Sequence, residues 1–122
     1  ELHYGRDSLV GVALILSELA DFKGTVSEYK KSLPEYHIRK SKIALAGLDP
    51  EKIFEQLRAK YREYKQNFDD GLRIDFSKSW VNFRRSNTEP IMRIITEAAS
   101  GAEAEDMQKQ FHGDIKQFLK KK

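Results

Sequence analysis

At 122 residues, with 39% hydrophobic and 34% charged residues, the chain holds enough apolar material for one small core, patterned too regularly for a disordered segment. Its 22 Lys and Arg against 19 Asp and Glu leave a net charge of +3, no more than the closing Lys120-Lys121-Lys122 supplies, and elsewhere acids and bases are interspersed, which argues against a nucleic-acid binder. The absence of cysteine removes disulfides, thiol nucleophiles and thiolate metal sites, as a reducing cytosol permits. The most apolar run, Leu9 to Ala20, is too short to span a membrane and lacks the flanks of a signal peptide, so the expected location is cytoplasmic.

In chain order, Asp7 is a good N-cap for a helix over residues 8–22 that is apolar nearly all round, through Leu9, Val10, Val12, Leu14, Ile15, Leu16 and Leu19. Such a helix requires cover on several sides, and the abrupt start is expected of a chain cut from something longer. Gly24 ends it; Thr25 and Glu28 form a capping box for a short second helix, which Pro34 stops. Residues 36–45 are richer in β-branched and aromatic side chains with period-2 alternation, a half-exposed strand whose lysines suit a sheet edge.

Asp49-Pro50 places a cap before a first-turn proline, and Ile53, Phe54, Leu57, Tyr61 and Tyr64 follow on one helical stripe. After Asp69-Asp70-Gly71, read as a turn, Leu72 to Phe76 and Trp80 to Arg84 alternate on either side of Ser77-Lys78 and predict a hairpin. Residues 91–96 resume the strand pattern. Ser100 and Glu103 form a second capping box, opening a helix with Ala104, Met107, Phe111, Ile115 and Phe118 on one face. Adjacent strands with a helix before and after imply an α+β class: an antiparallel four-stranded sheet with helices packed on one face, preceded by a helical lead.

The stretch Arg84-Arg85-Ser86-Asn87-Thr88-Glu89-Pro90, with Arg93 three residues on, interrupts two strands that otherwise alternate well. Guanidinium forks match phosphate oxygens, Ser and Thr add hydroxyl donors, and turn amides can converge as an anion nest. An ordinary polar hairpin connection, its Ser, Asn and Thr bonded to their own backbone, fits the same residues, and spacing alone does not separate the two.

The run from Asp70-Gly71-Leu72 through Trp80-Val81-Asn82-Phe83-Arg84 to Pro90-Ile91-Met92-Arg93 resembles the C-terminal domain of the α-D-phosphohexomutases, which carries an Arg-x-Ser-Asn/Gly-Thr-Glu-Pro loop followed by arginine. Upstream, Gly5-Arg6-Asp7-Ser8-Leu9, Ser27-Glu28-Tyr29 and Leu33-Pro34-Glu35-Tyr36 resemble the end of the family's third domain, so the similarity covers nearly the whole chain. It implies a TATA-binding-protein-like domain over residues 34–122, preceded by a helical remnant of the third domain over residues 1–33. Carried over residue by residue, Arg84, Ser86, Asn87, Thr88 and Arg93 are expected to bind the substrate phosphate that is not transferred, with Arg85 and Glu89 in support.

The implied enzyme is an isomerase, an intramolecular phosphotransferase on hexose or hexosamine phosphates such as phosphoglucose, phosphomannose or phosphoglucosamine. The phosphate-carrying serine, the Asp-Gly-Asp-Gly-Asp loop that holds Mg2+ and the Gly-Glu-x-x-Gly sugar loop have no counterpart in this sequence, so no catalytic residue and no bound cofactor is expected in this chain, which alone should be inactive. The expected partners are a phosphosugar and the remaining domains of the same enzyme, with neither nucleic acid nor membrane. The start resembles phosphoglucosamine mutases, yet those commonly have Gly where Asn87 stands, so the sugar stays open.

Other candidates are weaker. His3, His37 and His112 are dispersed and make a metal site improbable, and His112, beside the stripe of the last helix, reads as a surface residue. Phe54, Tyr61 and Tyr64 could stack on single-stranded nucleic acid, but their helical spacing places them in the core. The rival reading is an independent ferredoxin-like nucleic-acid-binding module.

Overall fold

The computed structural model describes residues 7–45, 47 and 49–120; the readings of His3, Gly5-Arg6 and the last two lysines lie outside these residues. The chain forms two compact units, Glu1–Glu35 and Tyr36–Lys122.

In the first unit α1 (Ser8–Phe22) begins where the Asp7 carboxylate accepts the amides of Leu9 and Val10 at 3.0 and 3.1 Å, satisfying donors that have no partner in the first turn. It ends at Lys23, which adopts the left-handed conformation with φ 55°. The Thr25 and Glu28 box then opens α2 (Val26–Ser32), and Phe22 meets Tyr29 edge-on at 5.1 Å. No residue of α1 is buried, so its apolar surface contributes little to stability within this unit.

The second unit runs β1 (His37–Ala44), α3 (Pro50–Lys60), β2 (Lys65–Asn67), β3 (Leu72–Asp75), β4 (Trp80–Arg85), β5 (Ile91–Ala98) and α4 (Gly101–Lys120). All pairings are antiparallel, in the order β1-β5-β4-β3-β2, so β1 and β2 are the edges. The α+β class holds, but the sheet has five strands instead of four. The extra strand, β2, follows an α3 shorter than its stripe implied: Gln66 turns back and donates from Nε2 to the carbonyls of Arg58 and Tyr61 at 3.1 and 2.8 Å. Two carbonyls at the helix end are thereby satisfied by a side chain of the next strand. Tyr64, expected in the core, lies beyond the helix, 39% exposed, against the edge of Phe76.

Period-2 alternation divides the sheet into two faces. Leu72, Ile74, Val81, Phe83, Met92, Ile94 and Ile43 point toward the helices and are buried with Ile53, Phe54 and Leu57 of α3 and Phe111 and Ile115 of α4. Polar groups in this layer are paired. Gln108 donates to the carbonyls of Arg39 and Ile94 and accepts from Ser41 Oγ, tying α4 to β1 and its neighbour β5. Asp114 accepts from Tyr61 Oη and from Lys60 Nζ, both at 2.5 Å; burial first, and then the hydrogen bond to Asp114, raise the Tyr61 pKa far above its ordinary value. The opposite face carries Lys42, Arg93 and Arg84 in one row, because Lys42 opposes Arg93 across β1 and β5 and Arg93 opposes Arg84 across β5 and β4.

Candidate anion site at the β4 and β5 loop

The polar loop leaves the end of β4 and re-enters β5 after five residues. It is closed by the Ser86 amide donating to the Ile91 carbonyl at 3.1 Å, and by the Ile91 amide donating to the Glu89 carbonyl at 2.8 Å. Inside it the Thr88 amide donates to Ser86 Oγ at 3.4 Å, and the two hydroxyl oxygens are also 3.4 Å apart. Ser86 and Thr88 therefore shape the turn through weak, exposed contacts that an incoming anion could replace. The Pro90 carbonyl accepts from the Leu45 amide at 3.0 Å, which anchors the loop to the chain leaving β1.

Arg84, Arg85 and Asn87 line a cleft of about 430 Å³ whose far wall is α3, through Glu51 and Arg58. Arg58 is held there by stacking its guanidinium 4.2 Å from the Phe68 ring centroid, a cation–π contact. Arg84 is paired with Asp70, Nη2 to Oδ2 at 3.0 Å, with side chains 49% and 62% exposed. Ser86, Thr88, Glu89 and Arg93 are not in the cleft lining; Arg93 joins Arg84 through the sheet register instead. Thus the seven residues singled out in the sequence fall on one loop and its two strand ends, but only three share the cleft.

Asp70, Arg58, Glu51 and Lys42 were not singled out for this site. The hairpin register held the signal for Asp70: with Leu72 opposite Phe83, one further step places Gly71 beside Arg84. Gly71 has φ +80°, and a Cβ there would stand 2.1 Å from the Phe83 carbonyl oxygen. Only glycine lets the strand entry lie this close to β4. Arg58 and Glu51 come from a helix distant in sequence, so no local pattern reveals them.

The remaining polar clusters are of other kinds. His112 Nε2 lies 2.7 Å from Ser41 Oγ, half-buried between β1 and α4, and its pKa is lowered first by burial and then by the Lys116 charge. Trp80 donates from Nε1 to Glu97 at 2.9 Å and lies under the Arg73 guanidinium at 4.3 Å. Among the described residues no group of three or more His, Cys, Asp or Glu could hold a metal ion, and no helix is long and apolar enough to cross a membrane.

An antiparallel α+β domain with a guanidinium-rich loop at one end of its sheet is a class with many members. The sequence comparisons narrow it: residues 43–113, more than half of the chain, match the model of the phosphoglucomutase/phosphomannomutase C-terminal domain. The chain belongs to this family. It is 37% identical over 119 residues to a probable phosphoglucosamine mutase of Pyrococcus furiosus, covering 94% of this chain and 26% of that protein. A phosphoglucosamine/phosphogalactosamine mutase of Sulfurisphaera tokodaii is 36% identical over 98 residues, 78% of this chain and 22% of the relative. A phosphoglucomutase/phosphomannomutase of Thermococcus kodakarensis is 36% identical over 104 residues, 84% of this chain and 23% of the relative. The chain spans about a quarter of the length of the curated relatives it matches.

Proposed function

We propose that this chain supplies the substrate-phosphate site of a phosphohexomutase, an enzyme that moves a phosphoryl group between two positions of a hexose or hexosamine. The observation that carries the reading is the row of Lys42, Arg93 and Arg84 beside the loop. Cβ atoms of directly opposite residues are ~5 Å apart, and like charges so placed destabilise a sheet. A phosphate dianion among them converts that repulsion into charge-assisted hydrogen bonds worth about 1.5 to 3 kcal/mol each.

In this role Arg84 and Arg93 grip the phosphate oxygens, and the hydroxyls of Ser86 and Thr88 with the amides of Asn87 and Thr88 supply shorter-range donors. Arg85 raises the local potential and Glu89 braces the turn. Their contribution is positioning: holding one phosphate fixes the sugar so that its far hydroxyl meets the transferring group, which reduces the entropic part of the barrier. No proton transfer is assigned to any residue of this chain. Alone it binds without catalysing.

The phosphate-donating serine and the Mg2+ of a complete mutase belong, in this reading, to other segments; among the described residues no acid or histidine cluster fits a metal. Residues 1–33 are read as the end of a preceding domain because α1 is apolar nearly all round yet has no buried residue, and residues 34–122 as the phosphate-binding domain. A cytoplasmic setting and a phosphosugar partner follow from the same reading.

The test is a nuclear magnetic resonance titration of the chain with glucosamine 6-phosphate and, separately, a short oligonucleotide. The amides of residues 84–93 should shift with the sugar phosphate and saturate. Shifts there with the oligonucleotide alone would replace this reading by a nucleic-acid-binding one.

A further inference from the structure

The cleft contains a carboxylate that the loop motif does not include. Asp70 Oδ2 lies 3.0 Å from Arg84 Nη2, and the approach is imposed by the backbone, since Gly71 presses the strand entry onto Phe83 of β4. The neighbouring acid is engaged differently. Asp69 accepts at Oδ2 from Asn67 Nδ2 at 2.9 Å, and its amide donates to Asn67 Oδ1 at 2.8 Å. Of two adjacent aspartates, one closes a local turn and the other is set on the guanidinium that faces the loop.

Arg84 is otherwise opposed by Arg93 in the ladder, so Asp70 is the carboxylate in direct contact with this cation row. A guanidinium fork accepts a carboxylate and a phosphate in the same geometry. The two anions therefore compete for Arg84, and they also repel each other at close range. Because both side chains of the existing pair are about half exposed or more, the pair is weak and readily exchanged.

We infer that Asp70 is a built-in competitor of the substrate phosphate: it occupies Arg84 while the site is empty and releases the guanidinium when a phosphoryl group arrives. This deepens, and rests on, the phosphate reading of the loop. Asp70 neutralises part of the cation row in the free chain, and it sets the affinity below what the loop and arginines would otherwise reach. It is a positioning and affinity-setting residue; it makes no bond to the phosphate.

The test is Asp70→Asn, which keeps an oxygen beside Arg84 but removes the charge, in the 122-residue chain titrated with inorganic phosphate and followed at the amides of residues 84–93. Phosphate should bind the variant about two- to fivefold more tightly than the parent at low ionic strength, with the gap closing as salt approaches ~1 M. Asp69→Asn, which removes the same charge one residue away, should give a smaller change. Equal or weaker binding by Asp70→Asn, with the parent binding normally, overturns the competition and leaves the phosphate site standing. No response of residues 84–93 in the parent overturns the phosphate reading and the competition with it.

Discussion

Replacing Arg93 by Gln should make the second unit more stable and at the same time weaken its affinity for phosphate. Arg93 is flanked in the ladder by Lys42 on one side and Arg84 on the other, and each directly opposed like-charge pair costs roughly 0.2 to 1 kcal/mol. These side chains are exposed, so screening holds the combined relief to about 0.5 to 1 kcal/mol at low salt. For a unit the size of Tyr36–Lys122, this corresponds to a melting temperature raised by roughly 2 to 6 °C. Phosphate binding loses at least one charge-assisted bond worth about 1.5 to 3 kcal/mol, or roughly tenfold to a hundredfold in affinity. The upward shift in melting temperature that excess phosphate gives the parent, which grows as RT ln(1 + [L]/Kd), should then largely disappear. Differential scanning fluorimetry in a low-salt, phosphate-free buffer, with and without added phosphate, reads both effects. A variant that melts lower than the parent, or that keeps the full phosphate shift, would refute the reasoning from the cation row.

Arg84→Ala in the intact mutase should raise the Michaelis constant for the sugar phosphate by about one to two orders of magnitude while circular dichroism stays native; steady-state kinetics checks this. Gly71→Ala forces a Cβ to within 2.1 Å of a backbone oxygen at φ +80°, so it should destabilise by more than about 2 kcal/mol, visible as a lowered urea midpoint. His112 has a folded pKa below its ordinary 6.5, and the unfolded chain therefore binds the extra proton more readily in the interval between the two values. The stability contribution of neutral His112 should be complete above that ordinary value and lost as the pH falls through the lower, folded one. Urea titrations at a series of pH values should show that slope in the parent and its loss in His112→Gln.

Much of this fold is legible locally. Asp7, Thr25, Asp49 and Ser100 each announce a helix because a cap is satisfied within three residues of itself. The hairpin of β3 and β4 is legible because its alternation and its turn agree on one register. β2 is not: Lys65-Gln66-Asn67 holds no β-branched or aromatic residue, and its place is fixed by Gln66 reaching back to α3, a tertiary fact. The loop stands out because six consecutive polar residues, Arg84 to Glu89, interrupt two strands that otherwise alternate. Its cleft did not, since Arg58 and Glu51 arrive from α3 and Asp70 becomes relevant only when Gly71 closes on Phe83. Likewise the facing of Lys42 with Arg93 depends on the non-sequential pairing of β1 with β5.

The most direct measurement is a crystal structure of the chain grown with glucosamine 6-phosphate. The phosphate should lie within hydrogen-bond distance of the guanidinium groups of both Arg84 and Arg93 and of the amides of Asn87 and Thr88, with Asp70 moved off Arg84. A phosphate held elsewhere on the domain, with Arg84 still on Asp70 and Arg93 in solvent, would contradict the assignment of this loop as the substrate-phosphate site.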